Sequence, residues 1–232
     1  MAHIEPLLVA WRPRLRRLAA AYAGADAAHD MNHLERVWAN ARQILASHPD
    51  ANRLVVMAAC YLHDLINLPK NHPQRAQASA MSAREAVVQL QRLAFPGEYL
   101  DEVAHAIEAH SHSAGIRARS IEAKIVQDAD RLDALGAVGL ARMFHIGGQL
   151  NRPLAHGTDP LAAERPLDDS LYALDHIEKK LLRLPATMQT DTGRKLAAAR
   201  AETLVEFRDR FVAEWMGLGD GIAAPGHDGS TS

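Results

Sequence analysis

The feature that most constrains the fold is a segment at residues 51–66 that is apolar on almost every side. Its composition and length predict a helix, and a helix without a polar face must be surrounded by other elements. Near its end the chain places His63 and Asp64 side by side, followed by Leu65 and Ile66. Because burial of an unpaired carboxylate is costly, the sequence calls for a partner for Asp64.

Helical spacing recurs along the rest of the chain. Apolar residues at i, i+3 and i+4 intervals predict a helix that starts at Asp30 or Asn32 and continues to about residue 45. Further helices are predicted at residues 77–93, 99–110, 170–184 and 191–215, and a long helical segment starts near Ile121. The sequence shows no strand-like alternation, solenoid repeat or glycine-rich phosphate loop. The predicted fold class is therefore all-α.

Two segments interrupt this pattern. Residues 147–169 are rich in Gly, Pro and Asp and have no period, and a loop of this length is usually functional or mobile. Residues 217–232 have the composition of a flexible C-terminal tail. Residues 1–216 have the length and apolar content expected of a single helical domain.

Charge and cysteine content exclude several classes of function. A net charge of -2 provides no global field for polymeric nucleic acid or an anionic membrane. The one cysteine, Cys60, lies in the apolar segment, which favours a buried core residue in a reducing compartment. No apolar run approaches the about 20 residues of a membrane span. The N-terminal basic cluster follows its apolar stretch, an order that is wrong for a secretory signal, so we expect a cytoplasmic protein.

Several polar groups lie near the inner faces or the ends of apolar helices. They are His33, His63 with Asp64, His110, and the acidic cluster of Asp128, Asp130 and Asp133. Each has an ordinary explanation when taken alone, such as a core histidine or a salt bridge to Lys124, Arg131 or Arg142. Together they would need many separate partners, whereas one divalent cation would satisfy them all. Imidazole and carboxylate ligands suit Mn, Fe, Ni, Co or Zn.

These residues carry a resemblance to a known family. The order of His33, then His63-Asp64, then an aspartate in "QDADRLDALG" resembles the H…HD…D signature of the HD superfamily of metal-dependent phosphohydrolases. Similar segments include "AHDMNHLERVWANA", "AIEAHSHS" and "HIEKKLLRLP". The chain is most similar to bacterial HD hydrolases, whose relatives include nucleotide pyrophosphohydrolases. The resemblance implies an HD-domain helical bundle with the C-terminal helices packed over a metal site.

The resemblance also implies a ligand set. It makes His33, His63, Asp64 and Asp130 the metal ligands of one divalent ion per chain, with Mn as first choice. Periodicity alone does not choose among the three aspartates of the acidic cluster, but "ADRLDA" resembles the family segment that carries the last ligand. Some relatives use the position of His110 for a second metal, and others leave it free.

Catalytic and substrate-binding residues follow from the same comparison. Several HD hydrolases place an acidic residue shortly after the HD pair, where this chain has Asn67. The attacking water would then be activated by Asp64, Asp128 or the metal itself. The side chains expected to contact the substrate's phosphates are Lys70, Arg75, His110 and Lys180.

The function expected from the sequence is hydrolysis of a small phosphorylated substrate. Nucleotides are the first choice, with the enzyme acting as a pyrophosphohydrolase or a phosphatase. The alternative is a nucleotide-binding regulatory HD module with little or no turnover. A metal-free helical interaction protein ranks last, because its buried polar groups would need unrelated partners. A homo-oligomer is compatible with the sequence.

Overall fold

The computed structural model describes residues 4–22, 31–68, 72–111 and 114–218. Among these residues the chain forms α-helices joined by loops and short 3-10 turns, with no strand, and the all-α prediction is confirmed. The helices are α1 (Ile4–Tyr22), α2 (Met31–Leu45), α3 (Arg53–Leu62), α4 (Ala78–Arg92), α5 (Leu100–His110), α6 (Ile121–Asp133), α7 (Gly136–Gln149), α8 (Asp175–Lys179) and α9 (Asp191–Trp215).

Helix α3 lies at the centre of the bundle. Asn52 caps its start, because the side-chain oxygen accepts a hydrogen bond from the backbone N–H of Leu54 at 3.1 Å. Every residue from Leu54 to Leu62 is buried, since α1, α2, α5 and α6 all pack against this helix. The predicted central helix is confirmed, but it ends at Leu62. His63 and Asp64 therefore lie in the turn that follows.

The N-terminal apolar stretch forms α1, which is not among the predicted helices. Its buried side chains, Leu8, Trp11, Leu15 and Ala19, follow one another at intervals of three or four residues and form a single stripe. This stripe packs against α3. Helix α1 is therefore part of the apolar core.

The long helical segment predicted from Ile121 is divided into α6 and α7. Gly136 has a φ of +69°, a left-handed conformation that favours glycine. A Cβ atom at Gly139 would lie only 2.1 Å from the carbonyl oxygen of Ala134, so the turn needs a second glycine. The prediction of one continuous segment is wrong at this point. The break redirects α7 toward α9, against which it packs.

The C-terminal region agrees with the sequence in part. Helix α9 has the predicted bounds and packs against α6 and α7. The predicted helix at residues 170–184 is present only as the five residues of α8, flanked by turns. Asp175 explains this difference, because its buried carboxylate binds Arg165 and the backbone N–H of Asp168. These contacts stabilise an irregular path for the preceding residues.

One apolar core includes buried side chains from Leu8 in α1 to Leu204 in α9. This continuity supports our proposal that residues 1–216 form a single domain. Of the proposed tail at residues 217–232, only Gly217 and Leu218 lie within the described residues, and both are exposed. None of the described helices is long and apolar enough to cross a membrane.

Candidate metal centre

Four helices bring polar side chains to one place beside the core. His33 comes from the first turn of α2, His63 and Asp64 from the turn after α3, His110 from the last position of α5, and Asp130 from α6. The three histidines are buried, whereas the Asp64 and Asp130 side chains are 22% and 29% exposed. Imidazole nitrogens thus line the inner side of the group, and carboxylates face its opening.

The potential ligand atoms are close enough to share one ion. The Nε2 atoms of His33 and His63 lie 3.3 Å apart. Asp64 Oδ2 lies 3.5 Å from His63 Nε2 and 4.0 Å from His33 Nε2. Asp130 Oδ1 lies 3.5 Å and 3.8 Å from the His33 and His63 Nε2 atoms, respectively. Metal–ligand bonds of about 2.1 Å place neighbouring ligand atoms about 3 Å apart. The ligand atoms of His33, His63 and Asp64 all lie within 4.8 Å of one another, so a small contraction would bring these three to one ion.

Hydrogen bonds on the far side of two rings fix the nitrogen that faces this centre. His63 Nδ1 lies 3.0 Å from the carbonyl oxygen of Cys60, and His110 Nδ1 lies 2.6 Å from that of Ile107. A carbonyl oxygen only accepts, so each Nδ1 carries the hydrogen. The Nε2 atom of each neutral ring then presents a lone pair to the centre. This is the form in which histidine binds metals.

The chemistry of this donor set fits a cation. Burial lowers the pKa of His63 to about 4, despite the nearby charge of Asp64, so its ring is neutral at neutral pH. Burial also acts against the charged form of His110, but the Asp64 carboxylate outweighs it and raises the pKa of that ring. His110 Nε2 lies 3.7 Å from Asp64 Oδ1. Lone pairs and carboxylates that converge in this way repel one another unless a proton or a metal ion lies between them.

On the side of its ring away from the centre, His33 contacts a carboxylate that in turn binds two guanidinium groups. Its Nδ1 lies 2.8 Å from Asp133 Oδ2, and Asp133 is 2% exposed. Arg36 and Arg142 both donate to that carboxylate, at 2.7 Å and 2.5 Å. Burial alone would raise the pKa of Asp133, but the His33 and Arg36 hydrogen bonds hold it well below the usual range. Arg36 was not among the predicted site residues, although its position three residues after His33 places both on one helix face.

Asp128 lies on a different side of α6 from Asp130. Two residues along an α-helix correspond to a rotation of about 200°. The Asp128 carboxylate is fully buried and accepts hydrogen bonds from the backbone N–H groups of Gln189 and Thr190, each at 2.8 Å. The Thr190 hydroxyl donates a third, also at 2.8 Å. This geometry does not support the catalytic role expected from the sequence. It instead ties α6 to the start of α9.

We predict that Asp128→Ala lowers the free energy of unfolding by about 2 kcal/mol, because it leaves buried backbone N–H groups without acceptors. Metal content and kcat of the folded protein should stay at the parent values. Denaturant titration and elemental analysis would measure these effects. Thr190→Val is a partial control, since it removes one of the three donors to Asp128 and also the hydroxyl that accepts the Gly193 N–H at the start of α9, so it should cost about 2 kcal/mol. Lost turnover at unchanged stability would instead support a catalytic Asp128.

The cations expected to bind substrate are differently placed. Arg75 donates a 2.8 Å hydrogen bond to Asn67 Oδ1 and another to the carbonyl oxygen of Leu68, so it braces the loop after the HD pair. Lys180 is exposed at the end of α8, and no contact within the described part of the chain joins it to the metal centre. Lys70 lies outside the described residues. Their roles in substrate binding stay predictions.

Comparisons with known proteins agree with this geometry. The sequence model of the HD domain family matches residues 31–135, a range that includes every residue of the centre. The chain is 37% identical over 183 residues to the uncharacterized protein YpgQ of Bacillus subtilis strain 168, covering 77% of this chain and 80% of YpgQ.

Solved structures resemble the whole fold. The crystal structure of Bacillus subtilis YpgQ in complex with ADP is 31% identical, with a TM-score of 0.67 over 93% of this chain and 98% of YpgQ. An HD-superfamily hydrolase of Bacillus thuringiensis is 29% identical, with a TM-score of 0.68 over 88% of this chain and 96% of that protein. The similarity therefore continues well beyond the segment that the family model covers.

Proposed function

The chain belongs to the HD domain family, and from this premise we propose that it is a metal-dependent phosphohydrolase of small nucleotides. Proteins of this superfamily are generally metal-dependent phosphohydrolases. One observation carries the proposal for this chain: the Nε2 atoms of His33 and His63 lie 3.3 Å apart, and each lies 3.5–4.0 Å from a carboxylate oxygen of Asp64 and of Asp130. The complex of the relative YpgQ with ADP supports a nucleotide as the ligand.

His33, His63, Asp64 and Asp130 would hold one divalent ion. Mixed nitrogen and oxygen ligands suit a transition metal, with Mn as first choice and Fe, Co, Ni or Zn as alternatives. When bound, such an ion activates water and neutralises phosphoryl charge. Because the two carboxylates are the more exposed members of the group, substrate would approach from their side. Polymeric nucleic acid is not the proposed substrate, given the net charge of -2.

Asp64 and the residues around the ligand set would position the attacking water and the substrate. Asp64 is adjacent to both His63 and His110, so its carboxylate can orient a water molecule at the centre. His110 Nε2 faces the same space, and in the protonated ring, which Asp64 favours, it can donate a hydrogen bond to a substrate oxygen. Arg75 would act indirectly, by stabilising the loop after His63 and Asp64 through its hydrogen bonds. The substrate's phosphate groups beyond the metal would bind the cations predicted at Lys70 and Lys180.

A second candidate is a nucleotide-binding regulatory module with little turnover. It is favoured by Asn67, which occupies the region where several HD hydrolases place an acidic residue. The Asn67 side-chain oxygen accepts a hydrogen bond from Arg75, so it serves the loop and cannot act as a base. Binding without hydrolysis would follow if Asp64 cannot replace the missing acid.

Metal analysis and a nucleotide panel test the proposal. Protein purified without chelator is expected to contain about one transition metal ion per chain. Chelator-treated protein reloaded with Mn should release phosphate or pyrophosphate from at least one nucleoside mono-, di- or triphosphate, and chelated protein should not. Nucleotide binding without either product would support the regulatory module. Absence of metal, with no thermal stabilisation by Mn, would contradict both functions.

A further inference from the structure

Two pairs of residues face each other across α2 and α6. On α2, His33 and Arg36 are three residues apart, and on α6 Asp130 and Asp133 have the same spacing. Residues with this spacing lie on one helix face. His33 Nε2 lies 3.5 Å from Asp130 Oδ1 on the side of the metal centre, and His33 Nδ1 lies 2.8 Å from Asp133 Oδ2 on the other side. One imidazole thus lies between a proposed ligand and a second carboxylate.

The donors and acceptors around His33 Nδ1 determine its hydrogen. Asp133 Oδ2 is the near neighbour at 2.8 Å, and Arg142 Nη1 is farther away at 3.5 Å. A carboxylate accepts and a guanidinium only donates. If Nδ1 lacked its hydrogen, two acceptors would meet at the shorter distance. The short contact therefore requires Nδ1–H to donate to Asp133, which leaves the lone pair on Nε2, toward the metal centre.

Asp133 is itself held in one orientation. Arg36 Nε donates to Oδ1 at 2.7 Å, and Arg36 Nη2 and Arg142 Nη1 donate to Oδ2 at 3.1 Å and 2.5 Å. These guanidinium groups come from α2 and α7, on either side of the carboxylate. They balance the buried charge of Asp133 and fix both of its oxygens. The ring orientation of His33 is therefore set by three helices.

We propose that Asp133 is a positioning residue that presents His33 Nε2 to the metal in its binding form. The proposal rests on the proposed function only in that the centre holds a metal ion, and it does not depend on the reaction catalysed. Carboxylates that bind the second nitrogen of a ligand histidine fix its tautomer and strengthen the metal bond. Loss of such a group typically weakens metal binding by about 10–100-fold.

Asp133→Asn provides a sharp test. Arg142 Nη1, Arg36 Nη2 and His33 Nδ1 all contact Asp133 at Oδ2, so the amide oxygen should take the Oδ2 position and the amide NH₂ the Oδ1 position. That arrangement keeps Nδ1–H as the donor but replaces a charged acceptor by a neutral amide, so the His33 ring is held less firmly and its Nε2 becomes a weaker metal ligand. Calorimetry with Mn should show a dissociation constant about 10–100-fold above the parent value. In metal-free protein labelled with ¹⁵N-histidine, NMR at pH 8 should show Nε2 as the unprotonated nitrogen of His33 in the parent.

Asp175→Asn is the matched control, because Asp175 is also buried and also binds a guanidinium group, that of Arg165. It should lower stability but leave the Mn dissociation constant within about twofold of the parent value. A folded Asp133→Asn variant with parent-like Mn affinity would overturn the proposal. A parent spectrum with His33 protonated on Nε2 would do so as well, even if the variant fails to fold. Tight Mn binding by the parent without hydrolysis of any nucleotide would contradict only the proposed function.

Discussion

Asp64→Ala is expected to remove both the bound metal and the nucleotide hydrolysis. Asp64 Oδ2 lies 3.5 Å and 4.0 Å from the Nε2 atoms of His63 and His33, so the variant loses a ligand at the centre of the group. A ligand should matter more than a group that only supports one, so kcat/KM should fall by more than about 100-fold. Elemental analysis should find well under one metal ion per chain, and product release measures the activity.

Stability separates this role from a structural one. The Asp64 side chain is 22% exposed, so the metal-free variant should change the free energy of unfolding by less than about 1 kcal/mol. A large loss of metal-free stability would show that Asp64 has a structural protein partner. Asp101→Ala is the matched control, because Asp101 is an exposed carboxylate in the first turn of α5. It should keep parent metal content and activity.

Asp175→Ala is expected to produce the largest loss of stability, about 3–5 kcal/mol. The buried carboxylate accepts two hydrogen bonds from Arg165, at 2.6 Å and 2.8 Å, and a third from the backbone N–H of Asp168 at 2.6 Å. Its removal leaves the largely buried Arg165 charge without this partner, stacked on Tyr172. Urea titration of metal-free protein would measure the change, and metal content should be unchanged.

The double variant Arg165→Met with Asp175→Ala should recover part of this loss, because an apolar pair leaves no uncompensated charge. Equal stability of the single and double variants would contradict the explanation. Further contacts bear on residues 147–169, which the sequence indicated as a functional or mobile loop. Asp159 accepts hydrogen bonds from two backbone N–H groups of this segment, and Trp215 donates one to Gly157. Hydrogen bonds within the segment and to α9 therefore stabilise its conformation.

Much of the metal centre could be predicted, because the residues that indicate it stand out within short stretches of sequence. His33, His63 and Asp64 are polar groups at the ends of apolar helices, and such groups need partners wherever the helices pack. The family resemblance then favoured Asp130 over its neighbours. Periodicity shows that Asp128 faces away from Asp130, but it does not show which of the two faces the other ligands. That choice depends on how α2 and α9 pack on different faces of α6.

The differences from the predicted fold have tertiary causes. Residues 170–184 carry helical spacing, but a contact between Asp175 and Arg165, ten residues apart, favours another path. Helical spacing also continues through Gly136, whose left-handed φ becomes necessary only because α7 turns to meet α9. Arg36 could have been found from its spacing to His33, whereas its partner Asp133 lies 97 residues away in sequence.

The hydrogen bonds of Asp128 limit where the chain can be truncated without loss of its fold. The family model ends at residue 135, yet the acceptor at Asp128 and its donors at Gln189 and Thr190 lie on opposite sides of that limit. The same is true of Arg200, which donates to the carbonyl oxygen of Leu132. A fragment truncated at the family boundary would expose these groups together with the apolar face that α9 covers. We therefore expect that residues 31–135 do not fold on their own and that recombinant fragments should extend through the end of α9.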